Sequence, residues 1–490
     1  MISSHVIAQN QIENAFRGVW IATVFNIDWP SSGSDNVERQ KEDYRKLLDY
    51  YEQLNFNSVV VQVRTAGDAL YHTSLAPFSR FLSAKEGKRG VWKDDPLVFM
   101  INEAHKRGMD FHAWINPFRV TTGSDTGMLD SNHIYFTQPD WIIKYGRRFY
   151  LDPGLPEVRQ HIFKIVDEVV NSYDIDGIHM DDYFYPYKIS GQNFNDSISF
   201  EKYGKDFDNV YSWRRANIDT LIANLSSMIR NSKPWVRFGI SPFGVWRNKK
   251  DDPAGSNTEA GQTNYDDLYC DPLVWAENQW IDYLAPQLYW SRSFTKASYD
   301  TLNYWWSKNI KNIDLYIGMG TYKIKNDRDS AWFQTNEIID QLSINRLNDE
   351  VDGEIFYNAS SLITHREVAQ KIKESYYAEK AVSFVGLRPT ETKRIQSSEF
   401  KKLKLSTKRL KGKLSKSSLA KQVLMYTEKE GKSTLLSVLW VNDRKINTEN
   451  TAIWAGENQL KFVAMDVYRN YGKEIVTMKK RNNKKWIVEN

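Results

Sequence analysis

The 490-residue sequence predicts a (β/α)8 barrel followed by a small all-β sandwich. Three observations carry this. Eight short β-branched or aromatic runs alternate with helical patterns over roughly 360 residues. Beyond about residue 378 the hydrophobic period drops to two, with short strands and polar turns at close spacing. Charge divides at the same place: residues 381–490 hold 24 Lys and Arg against 10 Asp and Glu, a net of +14, and the whole-chain +5 leaves −9 for the remainder.

The strand signals are, in order, RGVWIATVF (17–25), NSVVVQVR (57–64), MDFHAWIN (109–116), IDGIHMDD (175–182), VRFGISPFG (236–244), IDYLAPQLYW (281–290), LYIGMG (315–320) and GEIFYN (353–358). Helical periodicity fills the gaps. VERQKEDYRKLLDYYEQL precedes the second strand, DPLVFMINEAHKRG the third, PEVRQHIFKIVDEVVNSY the fourth and SWRRANIDTLIANLSSMIRNS the fifth. Each ends near Gly, Asn or Ser, as helix-stop chemistry requires. An open doubly wound sheet is the alternative, but no glycine-rich phosphate loop follows the first strand. In the tail, KKLKLSTKRLKGKLSK (401–416) carries eight basic residues and no acidic one, and QVLMYTE, TLLSVLWV and LKFVAMDVY alternate as strands. The expected division is an N-terminal segment (1–13), a barrel (14–378) and a basic sandwich (379–490). ISSHVIAQNQ lacks a helix cap and has small residues before Gln9, which leaves open the remnant of a cleaved export signal.

Composition narrows the function. The longest apolar runs, such as Ser58 to Val63, fall far short of the roughly 20 residues of a membrane-spanning helix. The single cysteine, Cys270, excludes an internal disulfide framework and a cysteine-based zinc site. Aromatic content of 14%, with 17 Trp and 27 Tyr, suits recognition of sugars, whose C–H faces stack on rings. The basic tail suggests an anionic partner, against the plainer reading of solvated lysines guarding edge strands. Nucleic acid is not indicated, because no recognition motif with interleaved aromatics accompanies the basic run.

Barrel enzymes carry their chemistry at the C-terminal ends of the strands. Alternation assigns the faces. In GIHMDD, apolar Ile178 and Met180 belong against the helices, which turns His179 and Asp181 inward. The same test turns inward Gln62 and Arg64, then His112, Trp114 and Asn116, then Gln287 and Tyr289. A purely structural barrel would fill these layers with branched aliphatics. Asp181 is therefore the candidate nucleophile or charge-stabilising carboxylate of a glycoside hydrolase, which needs two carboxyl groups about the scissile bond. Asp182 beside it points to the loop or a helix start and is a catalytic candidate against the plainer reading of a structural acceptor, and the proton donor is open among Asp28, Asp68 and the Glu259, Asp266 and Asp267 loop. Substrate contacts are expected from Arg64, His112, Trp114, Asn116, His179, Tyr183, Tyr185, Trp246, Gln287, Tyr289 and Trp290. A zinc site from His112, His179 and Asp181 is a weaker reading; no metal or other cofactor is expected.

FRGVWIATVFNIDWPS, VQVRTAGDALYHTSLAPFSRFLS, FHAWINPFRV, LDPGLPEVRQHI, DIDGIHMDDYFYP, FGISPFGVWRN and IDYLAPQLYWS occur in this order. They closely resemble the bacterial glycosyl-hydrolase-like family that includes the divisome-localised glycosyl hydrolase, over about residues 14–360. The resemblance implies a (β/α)8 barrel, an exported, periplasmic or lipoprotein location, and cleavage of glycan strands, with peptide-free peptidoglycan as substrate. It also implies a distant similarity to α-amylase-type barrels, whose fourth strand ends in Gly-Phe-Arg-x-Asp. Asp181 stands at the nucleophile's place in GIHMD, with His179 replacing the arginine. The fifth strand ends GISPFG without the carboxylate those barrels use as acid, which leaves donor and stereochemistry open. It also leaves a non-catalytic glycan-binding or scaffold protein as the alternative. The sandwich resembles fibronectin type III or immunoglobulin-like modules in general pattern, and its basic character suggests an anionic cell-envelope polymer as partner.

Overall fold

The computed structural model describes residues 14–89, 92–334, 336–383, 400–416, 418–467, 469–481 and 485–489. The export-signal reading of residues 1–13 lies outside them. Eight parallel strands close into a barrel: β1 (Phe16–Ile21), β2 (Ser58–Arg64), β3 (Asp110–Ile115), β4 (Gly177–Met180), β5 (Arg237–Ile240), β6 (Tyr283–Leu284), β7 (Asp314–Met319) and β8 (Gly353–Phe356). Each pairs with its neighbours in sequence, and β8 closes on β1. The connecting helices include α1 (Val37–Gln53), α2 (Pro96–Lys106), α3 (Pro156–Ser172) and α4 (Val210–Ser232). Their starts follow from local chemistry. Asn36 and Asp95 accept the Arg39 and Leu97 amides at 2.9 and 2.8 Å, and Pro96 supplies a preset φ at the first helical position.

Strand β6 is shorter than its sequence signal because Pro286 has no N–H to give the ladder. Pairing resumes at Gln287, which bridges Phe243 and Gly318.

The barrel interior is aromatic and polar. Phe16, Tyr283 and Tyr316 stack in its lower half, Phe16 on Tyr316 at 4.3 Å between centroids. Such rings fit only beside glycines. A Cβ on Gly239 would lie 1.9 Å from the Tyr283 ring, and one on Gly177 would lie 2.4 Å from His112. Buried Arg237 reaches Asp314 and Tyr316 and packs over the Tyr283 ring at 5.0 Å.

The tail forms two antiparallel sheets. One holds β9 (Phe400–Leu405), β10 (Leu410–Leu414) and β13 (Lys445–Thr448), in that order. The other runs in the order β12 (Lys432–Trp440), β11 (Ala420–Lys429), β14 (Gln459–Asp466), β15 (Tyr471–Arg481), β16 (Lys485–Glu489). Leu403, Leu410, Ile446, Phe462 and Trp486 belong to the core between them. The five-stranded sheet turns its other face to the lower end of the barrel, where the strands begin. Arg469 clamps buried Asp110 at 2.6 and 2.7 Å, Trp440 stacks on His105 at 3.6 Å, and Lys421 pairs with Asp174. On this face Val382 packs with Leu424, Tyr426, Val463 and Met465, and its carbonyl accepts the Ala15 amide at 3.0 Å. The sandwich therefore sits at the opposite end of the barrel from the strand C-termini.

Candidate active site

Asp181 follows β4 at the C-terminal face of the barrel. It is 8% exposed and held on several sides. Gln287 Nε2 and the Asp182 amide donate to its Oδ1 at 3.1 and 3.0 Å, and the Tyr183 hydroxyl also hydrogen-bonds its carboxylate. Asn116 Nδ2 fixes the Tyr183 oxygen at 3.2 Å, and the Arg119 guanidinium lies over that ring at 4.5 Å. This ordered carboxylate can face a developing positive charge or attack a carbon without reorganising its support.

Rings form a wall around the opening. Tyr183 meets Tyr187 at 5.9 Å, Tyr187 meets Phe243 at 6.1 Å, and Phe243 meets Trp290 at 5.4 Å, all edge to face. Tyr289 stacks on Tyr357 at 5.9 Å, and Tyr322 abuts both. Both Tyr289 and Tyr357 lie within electrostatic reach of Asp181.

The candidate acids differ sharply. Asp182 is buried, and burial together with the Asp181 carboxylate raises its pKa well above the ordinary value. Its Oδ2 accepts the Tyr187 hydroxyl, whose ring is 43% exposed in the wall. Burial raises Asp28 to about 6, but its two oxygens accept the Ala22 and Ser360 amides at 2.7 and 2.8 Å, tying the loop after β1 to the segment after β8. Asp68 accepts Thr65 Oγ1 and the Ala66 amide at 2.7 and 3.0 Å and so closes its own turn. Asp266 is forked by Arg247, Asp267 bonds the Thr263 amide, and Glu259 is exposed.

His179 and His112 do not reach the opening. Both have no exposed surface. The Trp20 indole, which can only donate, aims at His179 Nε2 at 3.2 Å, with Ser241 Oγ at 2.9 Å. That leaves the His179 proton on Nδ1, 3.0 Å from the Tyr283 oxygen, and Tyr283 then donates to His112 Nδ1 at 2.9 Å. Burial lowers the pKa of both, His112 to about 3, so the two imidazoles are a neutral floor beneath Asp181. These contacts engage both nitrogens of His179 and Nδ1 of His112. Among the described residues no group of three His, Cys, Asp or Glu is placed to hold a metal ion.

Three further expectations are corrected by packing. A register shift between Gln62 and Arg64 sets Arg64 opposite Ile115 rather than an inward residue, so Arg64 turns to Tyr71 and Glu168 on the helical side. Trp246 is buried, donates to Asp271 at 3.0 Å and stacks on Trp305. Tyr185 faces away from Asp181 into a neighbouring groove. Of the expected contacts, Tyr183, Gln287, Tyr289 and Trp290 gather about Asp181, while Asn116 and Trp114 lie just beneath. Arg119, Phe243, Tyr322 and Tyr357 were missed. Arg119 stands in INPFRV, three residues past Asn116, and Tyr357 directly follows β8 in GEIFYN, so strand-end position was the signal available for both.

The groove beside the opening has a volume of about 1040 Å³ and shares the loop 182–188 as its wall. Tyr211, Tyr265 and Tyr269 line it, Tyr265 beneath Arg215 and Arg247 and Tyr269 between Tyr211 and Arg214, and Gln192 and Asn193 add amides. A smaller cavity of about 250 Å³, near the end of β2, contains Glu86, which burial and Asp68 raise to about 8. The folded state thus keeps this carboxyl protonated between its ordinary 4.5 and about 8, where the unfolded chain releases the proton. Stability is lost as pH rises through that window. Glu86→Gln retains the acceptor for the Asp130 amide. It is expected to raise stability by about 1–3 kcal/mol at pH 9 and negligibly at pH 4.5, measured by urea unfolding at both.

A family model described as glycosyl hydrolase-like 10 matches residues 15–334. The chain belongs to this family. It is 47% identical over 366 residues to the glycosyl hydrolase YngK of Bacillus subtilis, covering 74% of this chain and 71% of that protein. It is 39% identical over 375 residues to the glycosyl hydrolase DigH of Escherichia coli K12, covering 72% and 84%. Among solved structures it is similar to the PgaB (BpsB) glycoside hydrolase domain of Bordetella bronchiseptica, with TM-score 0.46 and 12% identity over 74% of this chain and 98% of that one. Family membership supports a hydrolase acting on glycans. Among the described residues no helix is long and apolar enough to cross a membrane.

Proposed function

We propose that this chain is an exported glycoside hydrolase that cleaves glycan strands, with peptide-free peptidoglycan as the substrate and Asp181 as nucleophile or charge-stabilising group. The carrying observation is Asp181 itself: a carboxylate at a strand end, braced by Gln287, Tyr183 and a backbone amide, inside a ring of aromatic side chains. The adjoining groove favours a polymer over a small glycoside, because sugar residues beyond the cleaved bond would find tyrosine edges and hydrogen-bonding amide and guanidinium side chains there. Peptidoglycan and export rest on the family resemblance.

The proton source in this reading is Asp182 acting through Tyr187. Asp182 is too deep to touch a substrate, but it holds a proton and is hydrogen-bonded to the Tyr187 hydroxyl, which also has Asp181 as an electrostatic neighbour. Once the Tyr187 hydroxyl turns from Asp182 Oδ2 to donate to the glycosidic oxygen, the Asp182 carboxyl donates back to the Tyr187 oxygen, and the paired transfer, from Asp182 to Tyr187 and from Tyr187 to the glycosidic oxygen, frees the leaving group. Tyr187→Phe is expected to lower kcat on natural strands by about 10²-fold or more and to leave aryl glycosides with acidic phenols much less affected, since these depart without protonation. Activity should fall as pH rises and Asp182 loses its proton.

The substrate test is to incubate wild type and Asp181→Asn with peptide-free peptidoglycan strands, intact peptidoglycan and a neutral α-glucan, following new reducing ends. Release from the peptide-free strands that vanishes in the variant is expected. Release from the α-glucan alone would reassign the substrate. Binding without release by wild type would make the protein a glycan-binding scaffold.

A further inference from the structure

The outer sheet of the sandwich sets like charges face to face. Register places Lys402 opposite Lys413, Lys413 opposite Lys445, Lys404 opposite Lys411, and Lys411 opposite Asn447. The intervening Leu403, Leu405, Leu410, Leu414 and Ile446 are buried, so all five lysines project from the solvent face and are exposed. Directly opposed like charges destabilise a sheet. Protection against edge pairing would account for lysines on the outer strands β9 and β13. It does not account for Lys411 and Lys413, because β10 is the central strand with both edges already bonded. Among the described residues Lys445 pairs with Asp443 at 3.2 Å, and no carboxylate pairs with Lys402, Lys404, Lys411 or Lys413. The face therefore concentrates uncompensated positive charge at the end of the molecule remote from the barrel opening.

We propose that this face binds a linear polyanion whose repeating charge is a phosphodiester on a non-aromatic backbone, a polyol-phosphate chain. Neighbouring strands lie about 4.8 Å apart, so Lys402, Lys413 and Lys445 span roughly 10 Å, with Lys404 and Lys411 in a parallel row about 7 Å away. A flexible chain crossing these rows meets several ammonium groups in any register. Lysine meets phosphate as a compact point charge from any approach, which suits a flexible chain in variable register better than the fixed fork of arginine, and these two rows contain no arginine. Stacking of bases needs exposed rings, and none projects among these lysines. Docking of the five-stranded sheet on the barrel base aims the lysines away from the active-site opening, so the chain would be tethered with its cleft facing outward.

The test is binding of full-length protein to a labelled poly(glycerol phosphate), with Lys411→Gln/Lys413→Gln, a single-stranded oligothymidylate of equal charge, a polycarboxylate and anionic lipid vesicles as comparisons. Wild type is expected to bind the polyol phosphate with steep salt dependence. The double variant should bind about tenfold more weakly, with a slope of log K against log salt smaller by roughly 1.5. Removing opposed charges should leave its melting temperature no lower than wild type, which separates lost binding from lost fold. Asp181→Asn should bind as wild type does, keeping the result independent of catalysis. Unchanged binding by the double variant, or tighter binding to the oligonucleotide, polycarboxylate or vesicles, would overturn the proposal.

Discussion

Asp181→Asn is expected to lower kcat on glycan strands by about a thousandfold or more, a loss on the order of 4 kcal/mol of transition-state stabilisation, with little change in substrate affinity. The substitution is nearly isosteric. Gln287 and the Asp182 amide still find an acceptor oxygen, and the Tyr183 oxygen can accept from the new amide nitrogen, so the wall should stand. What disappears is the negative charge, and with it both attack on the anomeric carbon and stabilisation of the oxocarbenium-like state. An unchanged melting temperature with kcat collapsed and Kd preserved would place the loss in chemistry. A variant that retains most of its turnover would remove Asp181 from the mechanism.

Arg237→Met is expected to destabilise the fold by about 3–5 kcal/mol, read as a lower urea midpoint. Arg237 is buried at the start of β5 and reaches Asp314 and Tyr316 while packing on two tyrosine rings. Truncating the cation leaves the buried Asp314 carboxylate with the Tyr316 hydroxyl but without a neutralising charge. Adding Asp314→Leu should recover a large part of the loss, since an apolar pair avoids that uncompensated charge. The same pair buttresses Tyr283, whose hydroxyl links His112 and His179 below Asp181. Activity in the double variant therefore reports whether the polar floor is needed for more than stability.

Much of this arrangement was legible in the chain. Period-two alternation placed His179, Asp181 and Gln287 inward because their apolar neighbours Ile178, Met180 and Leu288 had to meet the helices. Alternation failed at Arg64, where a one-residue irregularity in β2 reverses every face beyond it. It also could not tell depth: His112, His179 and Gln62 share the inward face with Asp181 but lie below it, and a periodic pattern carries no coordinate along the barrel axis. Trp246 misled because an indole looks alike in a sugar platform and in a core stack. The Asp182–Tyr187 contact depends on a loop doubling back over five residues, and loop conformation leaves no periodic trace. The opposed lysines were visible only as a basic run until strand register set them across from one another.

The most direct test of the central claim is a crystal structure of Asp181→Asn with a glycan oligosaccharide spanning the cleaved bond. The anomeric carbon is expected about 3–3.5 Å from the side-chain oxygen of residue 181, with the Tyr187 hydroxyl on the glycosidic oxygen and further sugars on Tyr183, Tyr289 or Trp290. An oligosaccharide bound wholly in the groove, with residue 181 out of reach of every anomeric carbon, would contradict it.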